Sequence, residues 1–169
     1  LHLNKKTKTE LNYNKGALDG EIKRYYSNGK LRSNVQYKNG NADGYGVEYY
    51  KNGVISNQGW FINDIKRGEW IKYSPNGIIT ESNYYQNNEL QGPSINYDLT
   101  GKMEAAFMFS EGQVIGYEDY DTLGVVINTQ ELKHGNGIIN GIHLNKKPKS
   151  SNNYKFGSLD GEIKRWYPN

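Results

Sequence analysis

The chain has 169 residues, a formal net charge of +3 and no cysteine. Only 35% of its residues are hydrophobic, while 15 are tyrosine and 20 are glycine, so the composition favours a thin, turn-rich fold over one with a thick core. The lack of cysteine excludes disulfides, thiolate zinc sites and cysteine nucleophiles. No apolar run in the sequence approaches the ~20 residues that a membrane-spanning helix needs.

Charge is distributed unevenly along the chain. Residues 1–40 carry nine Lys or Arg and three acids, residues 41–132 carry five and thirteen, and residues 133–169 carry seven and two. A nucleic-acid-binding protein usually concentrates positive charge on one continuous surface, so this order argues against nucleic acid as a partner. It also suggests self-association, in which a basic end of one molecule meets the acidic middle of another.

A repeat of 24 residues organises the sequence. Glycines recur at positions 20, 44, 68, 92 and 116, and a second set recurs at 29, 53, 77 and 101. The segment "HLNKKTK" near the start returns as "HLNKKPK" from position 143, and positions 1–28 and 142–169 share eighteen of 28 residues. Such periodicity indicates a repeat array whose units contact mainly their neighbours.

We therefore expect one array over residues 1–169, forming part of a longer repeat protein. Its predicted units are 1–20, 21–44, 45–68, 69–92, 93–116, 117–141 and a partial unit 142–169.

Each unit reads as a β-hairpin. In the first full copy, the aromatic and β-branched segments "EIKRYY" and "KLRSNVQY" flank the turn signal "SNG". A three-residue loop with Gly29 in the left-handed conformation would pair Tyr26 with Lys30 and set Tyr25 beside Leu31. The predicted fold is all-β: an elongated, single-layer, twisted open sheet of antiparallel hairpins.

Alternation along the strands divides the aromatic side chains between two faces. We expect Tyr25, Tyr49, Tyr73 and Tyr97 to lie with aliphatic residues on a dry face. A second set should lie among polar residues on the opposite face, where exposed rings are typical of a recognition surface or of stabilising cross-strand pairs. The members of this candidate partner-binding set are Tyr26, Tyr50, Trp60, Trp70 and Tyr84.

Two lysine clusters form a separate candidate site. Lysines of this kind contact phosphate or anionic lipid in some proteins and protect exposed strand edges from pairing in others. The candidate polyanion-binding residues are Lys5, Lys6, Lys8, Lys146, Lys147 and Lys149.

The segment "YYSNGKLRSNVQYKNGNADG" resembles the MORN family of repeats, and more closely the bacterial variant in proteins labelled YwqK-type antitoxin components. The matching positions are Tyr25, Tyr26, Asn28, Gly29, Tyr37, Asn39, Gly40 and Gly44. The resemblance implies an antiparallel hairpin array without catalytic activity and with a protein-binding or membrane-associated role.

Catalytic and metal-binding patterns are not evident in the sequence. The histidines are isolated, whereas a metal site needs closely spaced ligands. Asp119 and Asp121 suggest a glycan-acting enzyme as a remote alternative, but a pair of catalytic carboxylates needs a concave site that shifts one pKa. We therefore expect no catalytic, metal-binding or cofactor-binding residues and no cofactor.

The sequence thus predicts a non-enzymatic repeat scaffold that binds another protein. The alternative is a module that binds anionic lipid or another polyanion, with a membrane surface as its partner. The chain begins with Leu1, so it is compatible with a trimmed signal peptide or lipid anchor. The start of the chain does not reveal the compartment, which is unknown from the sequence, and we favour the cell envelope or secretion over the cytoplasm.

Overall fold

The computed structural model describes Leu3 and residues 6–167. These residues contain sixteen β-strands and no helix, which confirms the all-β, antiparallel hairpin fold that the sequence predicts. The strands form two compact units, Leu1–Asn88 and Glu89–Asn169. The division into seven sequence units stays a prediction.

Nine strands belong to the first unit. They are β1 (Thr9–Glu10), β2 (Tyr13–Asn14), β3 (Ala17–Leu18), β4 (Gly20–Tyr25), β5 (Leu31–Lys38), β6 (Asn41–Tyr49), β7 (Ile55–Ile62), β8 (Ile65–Tyr73) and β9 (Ile79–Gln86). Strands β1 and β4 to β9 form one antiparallel sheet in the order β1-β4-β5-β6-β7-β8-β9, while β2 and β3 form a separate hairpin.

The predicted three-residue turn is confirmed between β4 and β5. Tyr25 lies opposite Leu31, and the Tyr26 amide donates to the Lys30 carbonyl over 2.9 Å. Gly29 has a φ of 89°, a conformation that glycine adopts without the steric penalty of a side chain. The Asn-Gly signal therefore sets the turn type.

Tight two-residue turns join the other ends of the strands. Between β5 and β6, Lys38 lies opposite Asn41, and the two turn residues Asn39 and Gly40 have φ values of 50° and 93°. Positive φ at both positions is the type I′ geometry, whose twist matches that of the flanking strands. The second Asn-Gly signal of the repeat is thus also a hairpin turn.

A one-residue irregularity follows each three-residue turn and changes which face the next side chains occupy. At the β6–β7 turn, Tyr49 lies opposite Ile55, but Glu48 lies opposite Asn57, so β7 contains one extra residue there. A bulge of this kind shifts the strand's alternation by one residue. The assignment of side chains to faces from the sequence assumed uninterrupted alternation, so it is wrong beyond the bulge. Phe61 and Ile55, which were assigned to the same face, point to opposite faces of the sheet.

The tightest packing in the first unit is between Trp70 and the strand beside it. Trp70 is only 5% exposed, and its ring packs edge-on against Phe61 with the centroids 4.8 Å apart. A Cβ placed on Gly59 would lie 2.3 Å from Cδ2 of Trp70. Gly59 is therefore required for the space that the indole occupies.

Gly59→Ala should destabilise the protein by about 1–3 kcal/mol, because the added methyl group forces the Trp70 ring out of its packed position. Urea unfolding of the wild type and the variant measures the change. In a Trp70→Leu background, Gly59→Ala should lower the free energy of unfolding by less, because the smaller side chain leaves room for the methyl group. Equal costs in the two backgrounds would contradict the proposed clash.

Seven strands belong to the second unit. They are β10 (Glu89–Tyr97), β11 (Met103–Ser110), β12 (Gln113–Tyr120), β13 (Val126–Glu131), β14 (Gly137–Ile142), β15 (Pro148–Lys155) and β16 (Ser158–Arg165). Strands β10 to β13 are neighbours in one antiparallel sheet, and β14 to β16 form a separate three-stranded sheet. The sequence did not predict this second sheet.

The two sheets of the second unit share a hydrophobic core. Its buried members are Ala105, Val114, Tyr117, Leu132, Ile139 and Tyr154, with Phe107 and Phe109 packed against them. A backbone bond also joins the sheets, since the Val114 amide donates to the Gly157 carbonyl over 3.0 Å. Here the chain builds a core between two layers.

Asp119 is a buried polar link between these sheets. It is 1% exposed and accepts hydrogen bonds from the Tyr117 hydroxyl at 2.5 Å, the Asn128 amide at 2.8 Å and the Ile142 backbone N–H at 3.0 Å. A buried carboxylate is tolerated when donors of this kind surround it. Its side chain therefore connects β12 and β13 to β14.

Stability should fall in alkaline solution because of Tyr117. Burial, and then its bond to Asp119, hold the pKa of Tyr117 far above its usual value. A folded-state pKa above the unfolded value of about 10 means that the stabilisation is complete below about pH 10 and is lost as the pH rises further.

Urea unfolding at about pH 8 and about pH 11 should therefore give a lower free energy of unfolding at the higher pH. The Tyr117→Phe variant should have a lower free energy of unfolding than the wild type at about pH 8. Its free energy of unfolding should also fall less than that of the wild type between about pH 8 and about pH 11. Tyr13→Phe, which changes an exposed ring, is the matched control. If the free energy of unfolding falls equally in Tyr117→Phe and in the wild type between the two pH values, groups other than Tyr117 cause the alkaline loss of stability.

Candidate functional site

An exposed apolar surface lies on one face of β6 to β9. Tyr45 lies opposite Trp60, and their ring centroids are 5.5 Å apart. Trp60 is 55% exposed and Tyr84 is 50% exposed, so the packing within the sheet leaves about half of each ring in solvent. Ile62 and Ile65, opposite each other in the β7–β8 hairpin, are also exposed.

We call this group the Trp60 surface. Its members are Tyr45, Trp60, Ile62, Ile65 and Tyr84. The strand registers place them on the same face, since Gln58 pairs with Ile71 two residues from Trp60, and Ile71 pairs with Ser82 two residues from Tyr84.

Polar groups lie among the members of the Trp60 surface. Arg67 lies opposite Trp60 across the β7–β8 pair, and it lines a shallow depression together with Tyr84 and Gln86. Burial raises the pKa of Tyr45, so its hydroxyl keeps its proton and remains a hydrogen-bond donor. The surface thus combines aromatic rings with a guanidinium group on the strand between Trp60 and Tyr84.

Trp70 lies on the other face, and its predicted exposure on a polar surface is wrong. Its Nε1 donates to the Trp60 carbonyl over 3.2 Å, and Tyr85 meets its ring edge-on. Lys66 Nζ lies 4.4 Å from the centroid of the indole and 5.0 Å from that of Tyr85. Burial lowers the pKa of this lysine, and the cation–π contacts stabilise its charged form.

Tyr26 and Tyr50 are part of the turn structure. Both are half-buried, and their hydroxyls donate to the carbonyls of Tyr49 and Tyr73 over 2.6 Å and 2.7 Å. Each ring therefore joins its own turn to the next one along the sheet. They are therefore less exposed than the sequence suggested, because alternation was extended into a turn where it does not apply, and their role in partner binding stays a prediction.

Tyr50→Phe should lower the free energy of unfolding by about 0.5–1.5 kcal/mol, because it removes the bond to the Tyr73 carbonyl and keeps the ring. Thermal or urea unfolding measures this loss. The control is Tyr84→Phe, which removes a hydroxyl from a half-exposed ring and should change stability less. Equal effects would show that the turn-to-turn bond contributes nothing.

Some lysines of the two clusters form hydrogen bonds or ion pairs within the protein. Lys5 lies outside the described residues. Lys6 Nζ donates to the Asn28 carbonyl over 2.8 Å, and Lys149 forms an ion pair with Glu104 at 2.8 Å. Lys8 is exposed before β1, and Lys146 and Lys147 are exposed in the turn before β15.

The described residues offer neither a metal site nor a membrane-spanning helix. Among them, no group of three or more His, Asp or Glu side chains is arranged to hold a metal ion. No helix in this part of the chain has the length and apolarity needed to cross a membrane. Asp119, one carboxylate of the remote enzymatic alternative, is buried and bonded between the two sheets.

Sequence reasoning found Trp60 and Tyr84 but missed three members of the Trp60 surface. Uninterrupted alternation places Tyr45 on the face opposite Trp60. Ile62 and Ile65 were not singled out, because only aromatic side chains were considered for this set. The extra residue after the three-residue turn is the signal that would have found Tyr45. Counted across that bulge, Trp60 falls on the face of Ile55 and Ile71.

Comparison with known proteins identifies a repeat family in two segments. The family model described as the MORN repeat variant matches residues 18–39 and 66–89, which confirms the resemblance that the sequence motif indicated. A search of the curated proteins gives no match. The first matched segment contains Tyr26 and its turn, and the second contains Trp70 and Tyr84.

Proposed function

We propose that this chain, two segments of which match the MORN repeat variant, is a non-enzymatic scaffold that binds another protein through the Trp60 surface. The observation that carries the proposal is the half-exposed Trp60 ring, which contacts the exposed ring of Tyr45 and shares its face with the exposed ring of Tyr84 on β9. The MORN repeat family supports a repeat module with a protein-binding or membrane-binding role.

The composition of the surface supports a protein partner. Trp, Tyr and Arg dominate the residues that contribute most to protein–protein affinity, and they do so where a partner covers them and excludes water. In the Trp60 surface, Arg67 lies on β8, between the strand of Trp60 and the strand of Tyr84, so a guanidinium group lies among the rings.

Packing within the sheet prepares these rings for binding. The Trp60 and Tyr45 rings contact each other, and the backbone beneath Trp60 is held by the Trp70 indole, which donates to its carbonyl. Side chains that are already ordered lose less conformational entropy when a partner binds. The antitoxin role that the bacterial resemblance implies would be one form of this function, with a toxin protein as the partner.

The lysine clusters give less support to the alternative of a polyanion-binding surface. Lys6 and Lys149 each have a partner within the protein, and an ammonium group must leave that partner before it binds phosphate fully. We therefore do not adopt it as a second proposal.

The proposal predicts that partner binding depends on Trp60 and Tyr84. The wild-type chain and a Trp60→Ser/Tyr84→Ser variant, each immobilised, should be compared for the proteins they retain from lysate of the source cells. The affinity for each retained protein should then be measured by calorimetry. The double variant should bind at least about tenfold more weakly, because each lost ring is worth more than 1 kcal/mol at a binding centre.

Trp166→Ser/Tyr167→Ser is the matched control. It removes the same two residue types from exposed positions at the other end of the described chain and should leave the affinity unchanged. Circular dichroism should show that all three proteins keep their strand content. Unchanged binding by Trp60→Ser/Tyr84→Ser, or an equal loss in the control, would overturn the proposal.

A further inference from the structure

The residue that follows the first strand of each three-residue hairpin has a constant backbone position. We call it the ladder residue. Its amide donates to the carbonyl four residues later, over distances of 2.8–2.9 Å. The ladder residues with this bond are Tyr26, Tyr50, Ser74, Asp98, Asp121 and His143.

The side chains at this position behave in two ways. Tyr26 and Tyr50 reach across to the next turn and donate to a carbonyl 23 residues away. His143 does the same through its Nε2, which lies 3.1 Å from the Trp166 carbonyl, also 23 residues away. A large ring at the ladder position therefore fills the space between two successive turns.

Asp98 and Asp121 instead fold back onto their own turns. Asp98 Oδ1 accepts from the amides of Thr100 and Lys102, and Asp121 Oδ1 accepts from those of Leu123 and Val125. The corresponding carbonyls of the next turns are those of Tyr120 and Ile142, 22 and 21 residues further along, and a carboxylate that accepts from its own turn does not donate to them. The ring that Tyr26, Tyr50 and His143 supply is missing at both positions.

A cavity of about 380 Å³ lies where these rings are missing. The three turns that follow β10, β12 and β14 form its margins, so it lies wholly within the second unit. Met103, Ile142 and Leu144 supply apolar walls, and Asp98 and Asp121 add carboxylates. The volume falls within the range of small-molecule sites, which are ~300–1,000 Å³.

The charges around the cavity narrow the choice of ligand. Glu104 and Lys149 also line it, but they neutralise each other in an ion pair at 2.8 Å. The bond from the Thr100 hydroxyl, followed by the Lys102 amide, lowers the pKa of Asp98, so this carboxylate is ionised at neutral pH. Lys102 also lines the cavity, so the carboxylates of Asp98 and Asp121 are opposed by one ammonium group and the lining stays net negative. An anionic ligand is therefore disfavoured, whereas a hydroxyl donor meets acceptors.

We propose that this cavity binds a phenol ring, which takes the place of the missing ladder tyrosine. The ring packs against Met103, Ile142 and Leu144. Its hydroxyl donates to the carbonyl of Tyr120 or Ile142 in the neighbouring turn, as the Tyr26 hydroxyl does to Tyr49. The ring is either a free phenolic molecule or a tyrosine side chain of a second protein. This site is separate from the Trp60 surface and does not depend on the function proposed for that surface.

The test titrates the full chain with p-cresol and follows its amide resonances by NMR. Lys102, His143 and Leu144 should shift together and saturate. Toluene, which lacks the hydroxyl, should bind at least about fivefold more weakly, because one unsatisfied buried acceptor costs about 1 kcal/mol or more. A peptide amide with an internal tyrosine, titrated in parallel, separates the two sources of the ring.

Asp98→Tyr supplies the missing ring from within the chain. It should abolish the p-cresol shifts and raise the melting temperature, whereas Asp98→Ala should lower the melting temperature and keep the shifts. Met103→Trp fills the cavity from its other wall and should abolish the shifts even if Asp98→Tyr does not fold. No saturable shift with either p-cresol or the peptide, equal binding of toluene, or undiminished binding by a folded cavity-filling variant would overturn the proposal.

Discussion

The structure depends on hydrogen bonds that tie each hairpin turn to the next. In the first unit these bonds come from three side chains of one turn, since Tyr26 donates to Tyr49, Asn28 to Lys51 and Lys30 to Asn52. An open sheet buries little apolar surface, so its turns would fray without such links. The 24-residue period is the spacing at which the side chains of one turn meet the backbone of its neighbour.

Local chemistry was predictable from the sequence, and long-range packing was not. Asn28-Gly29 fixes a turn through its own backbone preferences, so its geometry followed from a few adjacent residues. The faces of Trp60 and Trp70 depend on a bulge that has no strong residue signature, and uninterrupted alternation therefore misplaced them. The three-stranded sheet depends on Asp119 contacting Ile142, a pairing of distant residues that no spacing rule specifies.

The two faces of the first unit have different roles in this interpretation. One buries Trp70 over Gly59 and holds Lys66 against aromatic rings, so its side chains stabilise the sheet. The other presents Trp60 and Tyr84 to solvent, so its side chains are available to a partner. A thin sheet can combine these roles because a strand directs alternate side chains to opposite sides.

The link through Asp119 also affects how the second unit forms. Its contacts join residues far apart in sequence, as when Val114 bonds to Gly157 and Lys149 pairs with Glu104. The hairpins of the first unit contact mainly their sequence neighbours. Folding rates fall as the mean sequence separation of contacts rises, because longer loops must close first. The second unit should therefore fold more slowly and more cooperatively than the first, which can grow from any hairpin already formed.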